Sequence, residues 1–203
     1  AADGLVYRLA FAPNGDLYIT GDFLNAGGVA AADYCAMWDV SAGAWVAPGT
    51  ALAGVGYDVC IGHDGSVYFV GDFVDLTDAN GDYVTKWTGS AFVSLGSGLS
   101  ASGLGCCIGP NGNLYVTGGF TTAGGVACGM KTAMWDVTTS AWSALGSGDM
   151  TSSGTPLGYT VATDPAGRVY VGGEFDAIGG ARAANLAVFD GAAWRAMGDP
   201  NAA

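Results

Sequence analysis

Apolar and polar positions alternate in short runs along the chain, with the two-residue period of half-buried β-strands. Four such runs, LVYRLAF (5–11), VGYDVCI (55–61), GLGCCI (103–108) and LGYTVAT (157–163), are each followed by a four-residue turn, PNGD, HDGS, PNGN or PAGR. Gly15, Gly65, Gly112 and Gly167 supply the positive φ that closes a hairpin, so the next runs, DLYIT, SVYFV, NLYVT and RVYVG, are expected to pair back antiparallel. Tyr7, Leu9 and Phe11 are expected to share one face of the first strand, with Arg8 and Ala10 on the other. Arg8 and Asp58 then occupy one slot on adjacent inner strands, where they can pair.

The pattern is a repeat of about 50 residues. Superposing the copies on Tyr18, Tyr68, Tyr115 and Tyr170 brings Phe23, Phe73, Phe120 and Phe175 into a second slot. Trp38, Trp87, Trp135 and Phe189 fill a third slot, and Trp45, Phe92, Trp142 and Trp194 a fourth. Together these slots take 16 of the 23 aromatic residues and are read as core. Four strands per copy in meander order describe a propeller blade, which gives an all-β fold of four blades at about 4–52, 53–100, 101–153 and 154–203 in one domain. The distance from the Tyr to the fourth-slot aromatic alternates 27, 24, 27, 24, as expected from duplication of a two-blade unit. Half of an eight-bladed ring, or part of a longer array, is the alternative to a closed four-bladed propeller. A homo-oligomer or larger assembly goes with it, because closure needs either side-chain packing between the end blades or a second chain.

The segment LYVTGG (114–119) followed by MWDVTTSAW (134–142) resembles the kelch repeat, and the resemblance runs through all four copies. Its glycine pair is complete only at Gly118-Gly119 and Gly172-Gly173; Gly21-Asp22 and Gly71-Asp72 stand in the other two copies. The extra GG loop after the Phe and the LGSG ending are similar to the glycine-rich propeller repeats of large secreted bacterial proteins and phage structural proteins. That resemblance implies binding or scaffolding and carries no reaction.

Composition narrows the partners. Eighteen acidic against six basic side chains give a formal charge of −12, which leaves no basic surface for nucleic acid or an anionic membrane. No apolar run reaches the roughly 18 residues of a membrane span. A start at Ala1 without Met fits a processed form or an excised segment. Of the five cysteines, Cys60, Cys106 and Cys107 fall in slots held elsewhere by Ala, Leu or Val and are expected to be small core residues, while Cys35 and Cys128 fall in loops with no assigned state. The single histidine, His63, takes a turn slot that is Pro in the other copies, which removes the usual base of a Ser-His-Asp scheme and the usual zinc or copper ligand. No catalytic residue is assigned.

The reading is therefore a non-catalytic interaction or structural module, outside the cytoplasm on a cell surface, in secretion or in a virion, with protein or cell-surface glycan as partner. A polysaccharide-active hydrolase is the alternative. Tyr34 and Tyr83 are the loop aromatics outside the strands and slots, and are the candidate contacts. In the second copy Asp78, Asn80 and Asp82, with Asp75 nearby, have the opening D-x-N-x-D spacing of a calcium loop, although Tyr83 and Lys86 stand where the full motif continues.

Overall fold

A computed structural model describes residues 1–74, 76 and 82–197. The chain divides into two compact units, Ala1–Gly98 and Leu99–Ala203. The first contains two four-stranded antiparallel meanders: Leu5–Phe11, Leu17–Asp22, Cys35–Asp39 and Ala44–Val46, then Gly56–Ile61, Val67–Gly71, Val84–Trp87 and Phe92–Ser94. The second contains Gly103–Ile108, Leu114–Gly118, Thr132–Asp136 and Ala141–Ala144, then Leu157–Thr163, Val169–Glu174, Leu186–Phe189 and Trp194–Ala196. These sheets are called blades 1 to 4 below, and their strands inner, second, third and outer.

The aromatic slots become cross-strand pairs. Trp38 faces Trp45, Trp87 faces Phe92, Trp135 faces Trp142 and Phe189 faces Trp194, with ring centroids 5.1–5.5 Å apart. Their tilted and edge-on geometry is the arrangement that π-quadrupoles favour. Phe23, Phe73, Phe120 and Phe175 are all buried. In the turn between third and outer strands, Asp39, Asp136 and Asp190 accept two backbone N–H bonds each, and Thr88 fills the same place with its hydroxyl. The GG loops are two-residue hairpins with positive φ at both glycines, 62° and 83° at Gly27 and Gly28, which is the type I′ turn only such residues close without strain. A Cβ at the first glycine of each pair would run into the indole of Trp45, Trp142 or Trp194.

Within each unit one blade stacks on the next through equivalent residues. In the first, Tyr18, Met37 and Ala10 of blade 1 pack with Val59, Val67, Phe69 and Trp87 of blade 2. In the second, Tyr115, Met134 and Cys107 of blade 3 pack with Val161, Val169, Val171 and Phe189 of blade 4. A buried threonine sits beneath a glycine in both, Thr20 under Gly56 and Thr117 under Gly158. The recurrence of this contact matches the alternating repeat spacing. All five cysteines carry thiols; Cys35, Cys106 and Cys128 are buried, and Cys60 and Cys107 partly so.

One expectation is corrected. Each inner strand carries a register shift at the same place, so Tyr7, Tyr57, Leu104 and Tyr159 stand unpaired between their neighbours. The extra residue breaks the two-residue alternation, and Tyr7 does not continue the face of Leu9 and Phe11.

Candidate functional site

The residue entering every third strand has a left-handed backbone and is never glycine. Tyr34 (φ 61°), Tyr83 (φ 62°), Lys131 (φ 52°) and Asn185 (φ 64°) occupy this one position in the four blades. The conformation serves the sheet: the carbonyls of these residues accept the N–H of Gly21, Gly71, Gly118 and Gly173 at 3.0–3.1 Å. Asparagine tolerates it, whereas Tyr and Lys hold it at a cost of about 1 kcal/mol or more. Strain that recurs at one position of a scaffold is typical of sites that present side chains to partners.

Both sequence candidates therefore belong to a single structural class, which includes two residues that the loop-aromatic criterion missed. Lys131 and Asn185 lie 16 and 15 residues beyond the recurring Tyr, as Tyr34 and Tyr83 do, so the offset alone could have found them. Neither tyrosine is a freely lying loop tip. Tyr34 is half-buried against the core around Cys35 and Leu52, and Tyr83 is half-buried at the head of its strand. An aspartate precedes each, and Oδ1 of Asp33 is buried without a hydrogen-bond partner among the described residues. A hydroxyl or amide donor from a bound molecule would satisfy it.

Lys131 has the most enclosed setting of the four. It is 9% exposed and borders an open cleft of about 740 Å³ shared with Met130, Asp149, Met150 and Pro156, and its Nζ donates to the carbonyl of Gly119 at 3.1 Å. Burial pushes its ammonium below the ordinary lysine value, and the Asp149 carboxylate opposes that shift. A second cleft of about 420 Å³ lies by Tyr18, Asn14, His63 and Asp64, with His63 exposed at its rim as its turn position implies.

The bulged inner-strand residues form another cluster. Tyr7 and Tyr57 stack with ring centroids 6.2 Å apart and planes 25° from parallel. Beside them Arg8 Nε lies 3.7 Å from Asp58 Oδ1, the pairing expected from their shared slot. With the arginine side chain 55% exposed, this pair contributes at most about 1 kcal/mol. Burial, then the charges of Asp72 and Asp22 and neighbouring Tyr7, raise the Tyr57 hydroxyl above its usual pKa.

Of the calcium-loop residues, Asp75, Asp78 and Asn80 lie outside the described residues, and Asp82 is half-buried just before Tyr83. Among the described residues no three His, Cys, Asp or Glu side chains gather as a metal-binding group.

No protein-family model and no curated protein sequence matches the chain. Solved structures do match in fold. The chain is similar to a propeller in the nidogen/laminin complex (12% identity, TM-score 0.60) over 93% of its own length and 61% of that chain. It is similar to the WD40 β-propeller domain of Doa1 (12%, 0.58) over 100% of its length and 54% of that chain. It also matches a gluconolactonase of Xanthomonas campestris (14%, 0.57) over 93% of its length and 60% of that chain. The fold is thus that of a β-propeller, and the chain spans little more than half the length of these matched structures.

Proposed function

We propose that the chain is a non-catalytic binding module built from kelch-like propeller blades, which engages a glycan or a protein through the loops that lead into the third strands. The recurrence of a left-handed, non-glycine residue at that position in all four blades carries the reading. At Tyr34 and Tyr83 this fixed backbone holds a half-buried ring beside an aspartate, and Tyr beside a carboxylate suits hydroxyl-rich or mixed polar partners. Residues 1–98 carry eleven acids against two bases, which favours a neutral or basic partner there. In this reading the module acts outside the cytoplasm, on a cell surface, in secretion or in a virion. A propeller in the nidogen/laminin complex is among its matched folds.

The test is a glycan and protein array probed with the wild-type chain and with Tyr34→Asn and Tyr83→Asn. Asparagine keeps the left-handed backbone and removes the ring, so folding is spared while the contact is lost. Retention that falls in both variants, with no release of reducing sugar, is the expected result. Retention indifferent to both variants would refute the assignment, and reducing-sugar release would replace it with a polysaccharide hydrolase.

A further inference from the structure

The same slot of the inner strand is buried in one blade of the first unit and open in the other. Val59 is 5% exposed, because blade 1 lays Tyr18, Met37 and Ala10 against the face of blade 2 that holds it. Leu9, its equivalent in blade 1, is 59% exposed, and Phe11 two residues on is 66% exposed. Register places them beside Ile19 and Leu17, their antiparallel partners, and places Val6, 43% exposed, opposite Gly21 on the same face. The outer part of this face is closed by its own loop, with Phe23, Ala26 and Ala32 packed on Ile19 and Ala36. Its inner strand is left as an uncovered apolar stripe of Val6, Leu9 and Phe11.

In both units such a stripe is covered by one kind of surface: the face of a preceding blade that carries the recurring Tyr and a small residue opposite it. Ala10 faces Tyr18 in this way on blade 1, and Cys107 faces Tyr115 on blade 3. Two more faces of that kind exist, one on blade 2, where Cys60 pairs with Tyr68 but Tyr68 is only 1% exposed, and one on blade 4, where Ala162 pairs with Tyr170 and Gly172 pairs with Leu186. There Thr160, Ala162 and Leu186 are exposed, Leu186 by 44%. Residues 1–98 have eleven acids and two bases, a net −9, and residues 99–203 have seven acids and four bases, a net −3. Arg168 and Arg195 of blade 4 are each paired within that blade, with Asp164 at 2.6 Å and Asp190 at 2.7 Å.

We infer that the Val6, Leu9 and Phe11 stripe of blade 1 is a docking face for a second copy of this chain, which covers it with the Tyr170 face of its blade 4. The contact repeats between chains the blade-on-blade packing already present inside each unit. It is heterologous, so each copy uses one face as donor and the other as acceptor, and the assembly either closes into a ring or extends. Both halves carry net negative charge, so the contact rests on apolar burial, and added salt screens repulsion instead of weakening it. This inference is independent of the glycan- or protein-binding reading, which concerns the loops before the third strands.

Light scattering after size exclusion gives the answer. The wild-type chain is expected at twice its 20.2 kDa mass or more, falling toward monomer on dilution but not at high salt. Leu9→Ser with Phe11→Ser, and separately Leu186→Glu, are each expected to run as monomers with unchanged circular dichroism. An equimolar mixture of the two variants retains one intact donor face and one intact acceptor face, and is expected to form a dimer. A wild-type chain that stays monomeric at every concentration would overturn the inference. So would assembly unaffected by the Leu9 and Phe11 changes, which would place the contact elsewhere. Failure of the mixture to pair, with both variants folded, would overturn the head-to-tail arrangement.

Discussion

Replacing Gly56 with Ala tests how one blade is seated on the next. Gly56 lies outside the left-handed region, so alanine fits its backbone, and the cost is steric: the added methyl would meet Oγ1 of Thr20, which is fully buried. Overpacking of this kind costs about 1–3 kcal/mol, offset by about 0.5–1 kcal/mol from the lower entropy of the unfolded chain. Thr20→Ala makes the room. Alone it removes a 2.8 Å bond from the hydroxyl to the Tyr34 carbonyl, which still accepts from Gly21 N–H at 3.0 Å, so its cost is about 1 kcal/mol for the bond plus about 1 kcal/mol for the lost methyl. The double variant should therefore be more stable than the sum of the single changes implies, by about 1–2 kcal/mol. Urea unfolding of the four proteins, followed by tryptophan fluorescence, measures this coupling. Additivity within about 0.5 kcal/mol would show that the Thr20 hydroxyl does not abut Gly56, and the stacking described here would be wrong. In the second unit Gly158→Ala with Thr117→Ala should behave alike, with a larger single cost at Thr117 because its hydroxyl lies 3.1 Å from Thr132 as well as 2.9 Å from the Lys131 carbonyl.

Three further outcomes are expected. Ser140, exposed with φ 52°, holds the turn position that Gly43 holds with φ 62°, so Ser140→Gly should raise stability by about 0.5–1 kcal/mol and Gly43→Ser should lower it; thermal melts of both variants check this. The carboxyls of Asp39, Asp136 and Asp190 are held below their ordinary value of 3.8, chiefly by the turn N–H groups of Ala42, Thr139 and Ala193. Folded pKa values below the unfolded one contribute stability that is present above that value and lost as pH falls through the folded ones. Urea midpoints should thus stay level down to about pH 5 and drop below about pH 4, with Asp190→Asn reducing the drop. Complete burial pushes the Cys35 thiol up to about 12, so it should resist a thiol reagent in the native protein, while all five cysteines titrate in unreduced denatured protein.

Much of this molecule is readable from its periodicity. The two-residue alternation, the glycines of the first turn and the four aromatic slots determine which strands pair, which rings face each other and where the hairpins close, because each depends on residues a few positions apart. The Arg8–Asp58 pair follows from the same superposition. Tertiary structure alone decided three things. The bulge at Tyr7 is set by how the inner strand is fitted to its partner, and the alternation of LVYRLAF gives no sign of it. The left-handed backbone at Tyr34 and Tyr83 comes from a carbonyl that must reach Gly21 or Gly71, a demand the side chain does not announce. Leu9 and Val59 occupy one slot with the same apolar character, yet one is exposed and the other buried, because burial on a blade depends on whether a neighbouring blade covers it.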